Sequence, residues 1–258
     1  MRIHHVPIFI SAAIAVLTAS LLLVSCTPLG DAQDGNVDAV AFWDADALSG
    51  TVFFGESTTA HLARRGGVLD TAQGRRMVWR DDSGTRMLDR RILSSTVEYI
   101  GQDGNTRSIP LSEAIAREMP ARMVLSFGLN GIVSFSQDPN TFIAAYRSLI
   151  ESIHALSPMT LVVLQSIYPV RSATGFSLDT ATLNQKIALL NTHVAALAAT
   201  FSYVSYADTA SILRDADGLL AARYDNGDGI HLTNEAYGQI LGYLLTHVAA
   251  CADAYITK

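Results

Sequence analysis

Short apolar runs and longer segments of helical periodicity alternate along most of this chain. Five of the runs are bounded by polar or turn-forming residues, and we predict that they are strands. They are Thr51–Phe54, Met77–Arg80, Arg122–Phe127, Thr160–Ile167 and Phe201–Tyr206. The unbroken apolar sequence Leu161–Leu164 is typical of a central strand in a parallel sheet, which is covered on both faces.

The segments between these runs carry apolar residues at spacings of three and four, which predicts helices with one buried face. Three such stripes are Phe142, Tyr146, Leu149, Ile153 and Leu156; Leu183, Ile187, Leu190, Val194 and Leu197; and Tyr237, Leu241, Leu244 and Val248. Asp138-Pro139 and Thr233-Asn234 suit helix starts. Thr96–Ile100 and Thr106–Ile109 flank a turn and predict a small hairpin.

Alternating strands and helices predict a doubly wound α/β sandwich. In such a sheet the active site lies at the carboxyl ends of the strands. The sequence has no internal repeat, and we predict that residues 39–258 form one domain.

The first 25 residues differ in character from the rest of the chain. A long apolar core follows Arg2, which predicts a secretory signal peptide outside the fold. Its Leu-Val-Ser-Cys ending resembles a bacterial lipoprotein box, in which Cys26 becomes the lipidated N-terminus. A single-pass membrane helix is the alternative, although the core is short for one. Residues 26–38 are polar and rich in Gly and Asp, which predicts a flexible tether.

Charge and cysteine content exclude several classes of partner. Residues 1–25 hold one basic and no acidic residue, so the formal charge of −6 becomes −7 after their removal. The arginine pairs at 64–65, 75–76 and 90–91 are too scattered to follow a nucleic-acid backbone, and we expect no nucleic-acid partner. With Cys26 lipidated, Cys251 has no partner, which excludes disulfides and cysteine-ligated metals.

Three polar motifs occupy positions that suit catalytic side chains. Asp228 precedes His231 by three residues, so one loop could bring the carboxylate onto the imidazole and orient it as a general base. Ser57 and Asn130 each follow a predicted strand and a small-residue turn. A serine, an amide and an acid–histidine pair together indicate an acyl-transfer site.

These motifs resemble three blocks of the SGNH/GDSL hydrolase family, the first, third and fifth, in order and spacing. They are Gly55-Glu56-Ser57, Gly128-Leu129-Asn130 and Asp228-Gly229-Ile230-His231-Leu232. The resemblance implies a three-layer α/β/α sandwich around a flavodoxin-like, five-stranded parallel sheet. It also implies that Ser57 is the nucleophile, that His231 transfers its proton, and that Asp228 holds the imidazole tautomer.

The same resemblance implies an oxyanion hole. Its donors would be the Ser57 backbone amide, the Asn130 side-chain amide and the backbone amide of a glycine after the second strand. Gly84 follows the predicted strand Met77–Arg80 and fits that position, with Ser83 as the alternative. A plain turn at a helix start is the competing interpretation of this segment.

The chain departs from the family pattern in two places. Glu56 stands where aspartate is usual; that carboxylate normally ties loops together, and a longer one could still do so. Gly131 follows Asn130 where aspartate is frequent, which removes one loop-ordering hydrogen bond and is expected to open the turn.

Each site residue also has a purely structural interpretation. Ser57 could be a helix N-cap, Asn130 could occupy a left-handed turn, and Asp228 could belong to a plain turn. His61, one turn after Ser57, could line the cleft. The Asp-rich loops at 215–218 and 225–228 lack the closing glutamate of a calcium-binding loop, so we expect no metal.

The predicted function is that of a serine esterase, lipid-anchored on the extracytoplasmic face of the membrane and independent of cofactors. Its substrate would be a small ester, such as an acetyl group on a cell-wall or dietary carbohydrate, with lipase or thioesterase activity as further options. The alternative is a lipoprotein of the same fold that binds a carbohydrate or lipid and has a weak or lost catalytic site. Glu56 and Gly131 are the features that favour this alternative. Acyl length, alcohol and oligomeric state are not determined by these patterns.

Overall fold

The computed structural model describes residues 48–81 and 87–256, with side chains described up to residue 247. The predicted signal peptide, the tether with Cys26, and the second-block residues Ser83 and Gly84 lie outside the described residues. None of the described helices combines the length and the apolar character that crossing a membrane requires.

The five predicted strands are present and pair in parallel. They are β1 (Thr51–Gly55), β2 (Val78–Asp81), β5 (Arg122–Ser126), β6 (Leu161–Gln165) and β7 (Val204–Ala207). Each ends within two residues of its predicted C-terminal end, and the largest difference is at β7, which begins three residues later than predicted. The apolar runs therefore located the strands correctly.

The sheet has seven strands rather than the predicted five, because the two strands of the predicted hairpin join it. Its strands are β3 (Thr96–Ile100) and β4 (Thr106–Pro110), and the sheet order is β4-β3-β2-β1-β5-β6-β7. β3 pairs antiparallel with β2, and an ion pair between Arg80 and Glu98 spans the two strands. Alternate residues of β3, Val97 and Tyr99, are buried, so the hairpin packs one face on the core.

Helices cover both faces of the sheet. They are α1 (Ser57–Ala60), α2 (Ala72–Met77), α3 (Leu111–Glu118), α4 (Ile132–Gln137), α5 (Pro139–Leu156), α6 (Thr180–Ala198) and α7 (Asn234–Ile256). Helices α3 to α6 pack on one apolar core and α2 and α7 on another. Successive residues of β1 divide between these cores, since Val52 and Phe54 face the first and Phe53 the second. This is the three-layer sandwich that the resemblance implies.

The predicted helix starts have the expected capping. The carboxylate of Asp138 accepts a hydrogen bond from the Thr141 amide, and Pro139 is the first residue of α5. The Thr233 hydroxyl accepts one from the Ala236 amide at the start of α7. These caps fix where each helix begins after its loop.

The order of the parallel strands determines where a site can form. From β1, the chain first adds β2 on one side and later adds β5, β6 and β7 on the other. The loops after β1 and β5 therefore diverge at the carboxyl edge of the sheet and leave a crevice there. Ser57 follows β1 and Asn130 follows β5, so both lie at this crevice.

Candidate active site

The tight turn after β1 places Ser57 at the edge of the sheet. Gly55 ends the strand, and a Cβ at this position would overlap the Ser126 carbonyl oxygen and the Thr59 hydroxyl. The N-cap of α1 is Glu56, and Ser57 is its first helical residue. The interpretation of Ser57 as an N-cap is therefore wrong, and its half-buried hydroxyl does not serve to cap the helix.

The loop before α7 brings Asp228 onto His231. The carboxylate accepts hydrogen bonds from the His231 backbone amide at 2.8 Å and from its ring Nδ1 at 2.7 Å. Partial burial raises the pKa of Asp228, but these bonds and one from the Ile230 amide outweigh it and lower the pKa to about 2. An ionised carboxylate only accepts hydrogen bonds, so Nδ1 carries the ring proton and Nε2 is left as an acceptor.

Backbone hydrogen bonds hold this loop in place. The Asp225 carboxylate accepts from the amides of Gly227 and Gly229, and the Gly229 carbonyl accepts from the amides of Arg171 and Ser172. The segment after β6 thus supports the loop that carries Asp228. Sequence reasoning missed this support, because contacts made by backbone groups leave no side-chain signature.

The structure brings Ser57 to His231 although 174 positions separate them in sequence. Ser57 Oγ lies 3.0 Å from His231 Nε2, the nitrogen that the Asp228 contact leaves unprotonated. A hydroxyl, an imidazole and a carboxylate in hydrogen-bonded series can deprotonate the hydroxyl as it attacks a carbonyl carbon.

The loop after β5 carries a further candidate group, the side-chain amide of Asn130. Asn130 Nδ2 is buried and has no hydrogen-bond partner among the residues that the structure describes. A buried donor without a hydrogen-bond partner destabilises the folded protein unless a ligand accepts a hydrogen bond from it. Such a donor suits an oxyanion, which forms only during the reaction. Among the described residues, Asn130 does not have a positive φ; the left-handed residue of this turn is Gly131, with φ of +87°. The interpretation of Asn130 as a left-handed turn residue is therefore wrong.

Glu56 connects the turn after β1 to the loop after β5. Its buried carboxylate accepts hydrogen bonds from the amides of Gly128 at 2.8 Å, Leu129 at 3.1 Å and Asn130 at 3.0 Å. Burial raises the pKa of Glu56 to about 8, because its effect is larger than that of the three amide hydrogen bonds, which lower the pKa. The longer side chain therefore ties two loops together, as the family pattern suggested for the usual aspartate.

Gly131 does not leave an open turn. A Cβ at this position would overlap the Met87 side chain and lie 3.0 Å from the Phe135 ring. Met87 thus occupies the space that a side chain at 131 would take. The expectation that this glycine opens the turn is wrong, because a residue from outside the motif fills the gap.

His61 lies against the ring of His231, with ring centroids 4.6 Å apart and an angle of 37° between the planes. Burial lowers the pKa of His61 to about 4, and the neighbouring His231 and Arg64 add to this shift. His61 is therefore neutral at physiological pH, and it borders the site as its spacing from Ser57 suggested.

Among the described residues, no group of three or more His, Cys, Asp or Glu is arranged to hold a metal ion. The Asp225 carboxylate is instead used within its own loop. Ser83 and Gly84, the predicted second-block donors, are outside the residues described here, and their role stays a prediction.

Comparison with known proteins identifies a family to which the chain is similar. The model of the GDSL-like Lipase/Acylhydrolase family matches residues 53–239, which is more than two thirds of the chain. No curated protein is significantly similar in sequence.

Solved structures share the fold at low sequence identity. A GDSL-like lipase from Bacteroides thetaiotaomicron is 19% identical with a TM-score of 0.52, over 79% of this chain and 88% of that one. A DUF4886 family protein from Bacteroides uniformis is 13% identical with a TM-score of 0.52, over 76% of this chain and 81% of that one. The family match extends from β1 through the loop that carries His231, and the chain belongs to the GDSL-like lipase/acylhydrolase family, a family of hydrolases that act on esters.

Proposed function

We propose that this chain is a serine esterase that cleaves small acyl esters with Ser57, His231 and Asp228. The observation that carries the proposal is the unbroken series from Ser57 Oγ to His231 Nε2 and from His231 Nδ1 to Asp228. The Asn130 amide, which has no hydrogen-bond partner within the described part of the chain, adds to it. A carbonyl carbon placed at Ser57 Oγ would meet the nucleophile and its hydrogen-bonded base, and Asn130 follows β5 at the same edge of the sheet.

In the first half of the reaction, Ser57 Oγ attacks the ester carbonyl carbon and its proton moves to His231 Nε2. The carbonyl oxygen becomes an oxyanion, to which we assign the Asn130 side chain and the Ser57 amide at the start of α1 as donors. Asp228 stabilises the imidazolium, which then protonates the leaving alcohol oxygen as the carbon–oxygen bond breaks.

In the second half, water replaces the alcohol. His231 Nε2 takes a proton from the water as its oxygen attacks the acyl carbon on Ser57, and then returns the proton to Ser57 Oγ. The products are a carboxylic acid and free enzyme, so the cycle balances without a metal, a cofactor or a redox step.

The location proposed for this activity follows from the N-terminal sequence. A lipid on Cys26 would hold the enzyme at the extracytoplasmic face of a membrane, with residues 26–38 as the tether. A tethered esterase has access to envelope polymers and to polymers outside the cell, which favours an acylated glycan, in particular one with O-acetyl groups.

The test is a panel of p-nitrophenyl esters of increasing acyl length, followed by acetylated glycans, with Ser57→Ala as the control. We expect the acetyl and other short esters to react fastest, and acetate to be released from a glycan by the wild type alone. Equal background rates for wild type and Ser57→Ala on every substrate would contradict the proposal. Two contacts support the catalytic proposal over the non-catalytic alternative: Glu56 holds the Asn130 loop, and Met87 fills the space at Gly131.

A further inference from the structure

The catalytic loop anchors the backbone of His231, whose carbonyl accepts a hydrogen bond from the Asn226 amide, but its ring is held by side-chain contacts. His231 lies between the last bend of the loop and the start of α7, and its side chain is 25% exposed. Its partner Asp228 is more open still, at 48% exposure. The hydrogen bond between Ser57 Oγ and Nε2 cannot form while Ser57 is acylated, and the bond from Nδ1 to Asp228 then fixes only one point on the imidazole, so the direction of Nε2 needs a further constraint.

His61 supplies a surface at the required place. It follows Ser57 by one helical turn, so the same short segment carries the nucleophile and the ring that contacts His231. The two ring centroids are 4.6 Å apart and the ring planes are tilted by 37°, so the rings pack against each other without stacking in parallel. We propose that His61 is a positioning residue, whose ring packs against His231 and keeps Nε2 directed at Ser57 Oγ.

Arg64 determines which ring nitrogen of His61 carries the proton. Arg64 Nη1 lies 3.5 Å from His61 Nδ1, and because a guanidinium only donates, Nδ1 is the acceptor and the His61 proton is on Nε2. The charged groups near His61 are Arg64 on its own segment and His231 and Asp228 on the catalytic loop. Burial is the largest cause that keeps His61 neutral and lowers its pKa, and the Arg64 guanidinium acts in the same direction, while the Asp228 carboxylate opposes them more weakly.

A neutral ring suits the contact for a second reason. His231 becomes an imidazolium after it takes the Ser57 proton, and a charged His61 at this distance would oppose that step. A neutral aromatic face adds no such repulsion. The ring, rather than a specific nitrogen, is therefore the feature that this position requires.

The role rests on the proposed function, so its test combines activity with a readout that does not depend on activity. The variants are His61→Ala and His61→Gln, which both remove the ring, and His61→Phe, which restores one. His154→Ala is the matched control, because His154 stacks on Tyr203 with centroids 3.9 Å apart and belongs to α5, away from the crevice. Thermal unfolding of each variant establishes that it is folded.

We expect both ring-less variants to lose roughly 10- to 100-fold in kcat, since small misplacements of a catalytic group have effects of this size. KM for p-nitrophenyl acetate should change by less than about threefold, because substrate binding is not removed. His61→Phe should return kcat to within about threefold of the wild type, and His154→Ala should match the wild type.

The independent readout is the low-field proton NMR signal of His231 Nδ1–H, which reports its hydrogen bond to Asp228. The signal should be sharp in the wild type, His61→Phe and His154→Ala, and broadened or lost in His61→Ala and His61→Gln. Wild-type kcat and a sharp signal in the ring-less variants would overturn the inference, as would a His61→Phe variant as impaired as His61→Ala. A wild type that hydrolyses no ester would instead refute the proposed function, while the NMR comparison would still decide the role of His61.

Discussion

Glu56 Oε2 accepts a hydrogen bond from the backbone amide of Asn130 at 3.0 Å. The residue that precedes the nucleophile therefore holds the loop that carries the proposed oxyanion donor. Together with the bonds from the Gly128 and Leu129 amides, this contact joins the turns after β1 and β5, which diverge at the crevice. Relative movement of Ser57 and Asn130 is limited as a result, and pre-organised donors of this kind are the more effective ones.

Replacing Glu56 with glutamine should weaken this connection, because the amide group cannot accept all three backbone hydrogen bonds. Burial raises the pKa of Glu56 from 4.5 to about 8, so the folded state keeps a proton that the unfolded chain releases. This contribution to stability is fully present below pH 4.5 and is lost as pH rises through about 8.

The measurement is urea unfolding of wild type and Glu56→Gln at pH 5 and pH 8. The stability difference between the two proteins should be larger at the lower pH, since only the wild type gains from the retained proton, and other titrating groups cancel in the comparison. The variant should also lose kcat. A difference in unfolding free energy that is independent of pH would show that Glu56 is ionised in the folded protein.

Asp228→Asn should lower kcat/KM by orders of magnitude without unfolding the domain, because the imidazole loses its tautomer preference and the imidazolium loses its partner. EDTA should have no effect on the wild type. Activity that EDTA removes and added zinc or calcium restores would move Asp228 and His231 into a metal site.

Asn130→Ala should reduce kcat by roughly 10²- to 10³-fold, the usual effect of removing one oxyanion donor. Asn130→Asp is the sharper variant, because it keeps the size of the side chain but offers no donor and adds a negative charge. Both should leave KM nearly unchanged, since the oxyanion exists only in the transition state. A large increase in KM with an unaltered kcat would show instead that Asn130 binds the substrate in the ground state.

The sequence predicted the elements that local pattern determines. Apolar runs located the five parallel strands, and the helix starts at Pro139 and Asn234 followed from local capping residues. The meeting of Ser57 and His231 was predicted from the resemblance and from the rule that sites form at the carboxyl edge. These inferences need no knowledge of side-chain packing.

Features that depend on tertiary packing could not be predicted in the same way. The hairpin was predicted, but its pairing with β2 depends on an edge that only the folded sheet presents. Met87 beside Gly131, and the backbone amides that support Gly229, come from segments with no motif. The spacing of His61 from Ser57 suggested its place in the cleft but not its contact with His231.

The proposed membrane anchor is tested by Cys26→Ser. The variant should leave the membrane fraction or stay unprocessed, because the sulfur that carries the lipid is absent while the apolar signal core is intact. The checks are cell fractionation and mass spectrometry of the mature N-terminus. An unmodified Cys26 in the mature native protein would exclude the anchor and leave the esterase proposal untouched.

The central claim, that Ser57 is the acylated nucleophile, is tested most directly by labelling with a fluorophosphonate followed by peptide mapping. A hydroxyl activated by His231 should form a covalent adduct, and the adduct should be on the peptide that contains Ser57. Labelling should disappear in Ser57→Ala, and the same variant should keep less than about a hundredth of the wild-type esterase rate. An adduct on another residue, or undiminished labelling of Ser57→Ala, would contradict the account.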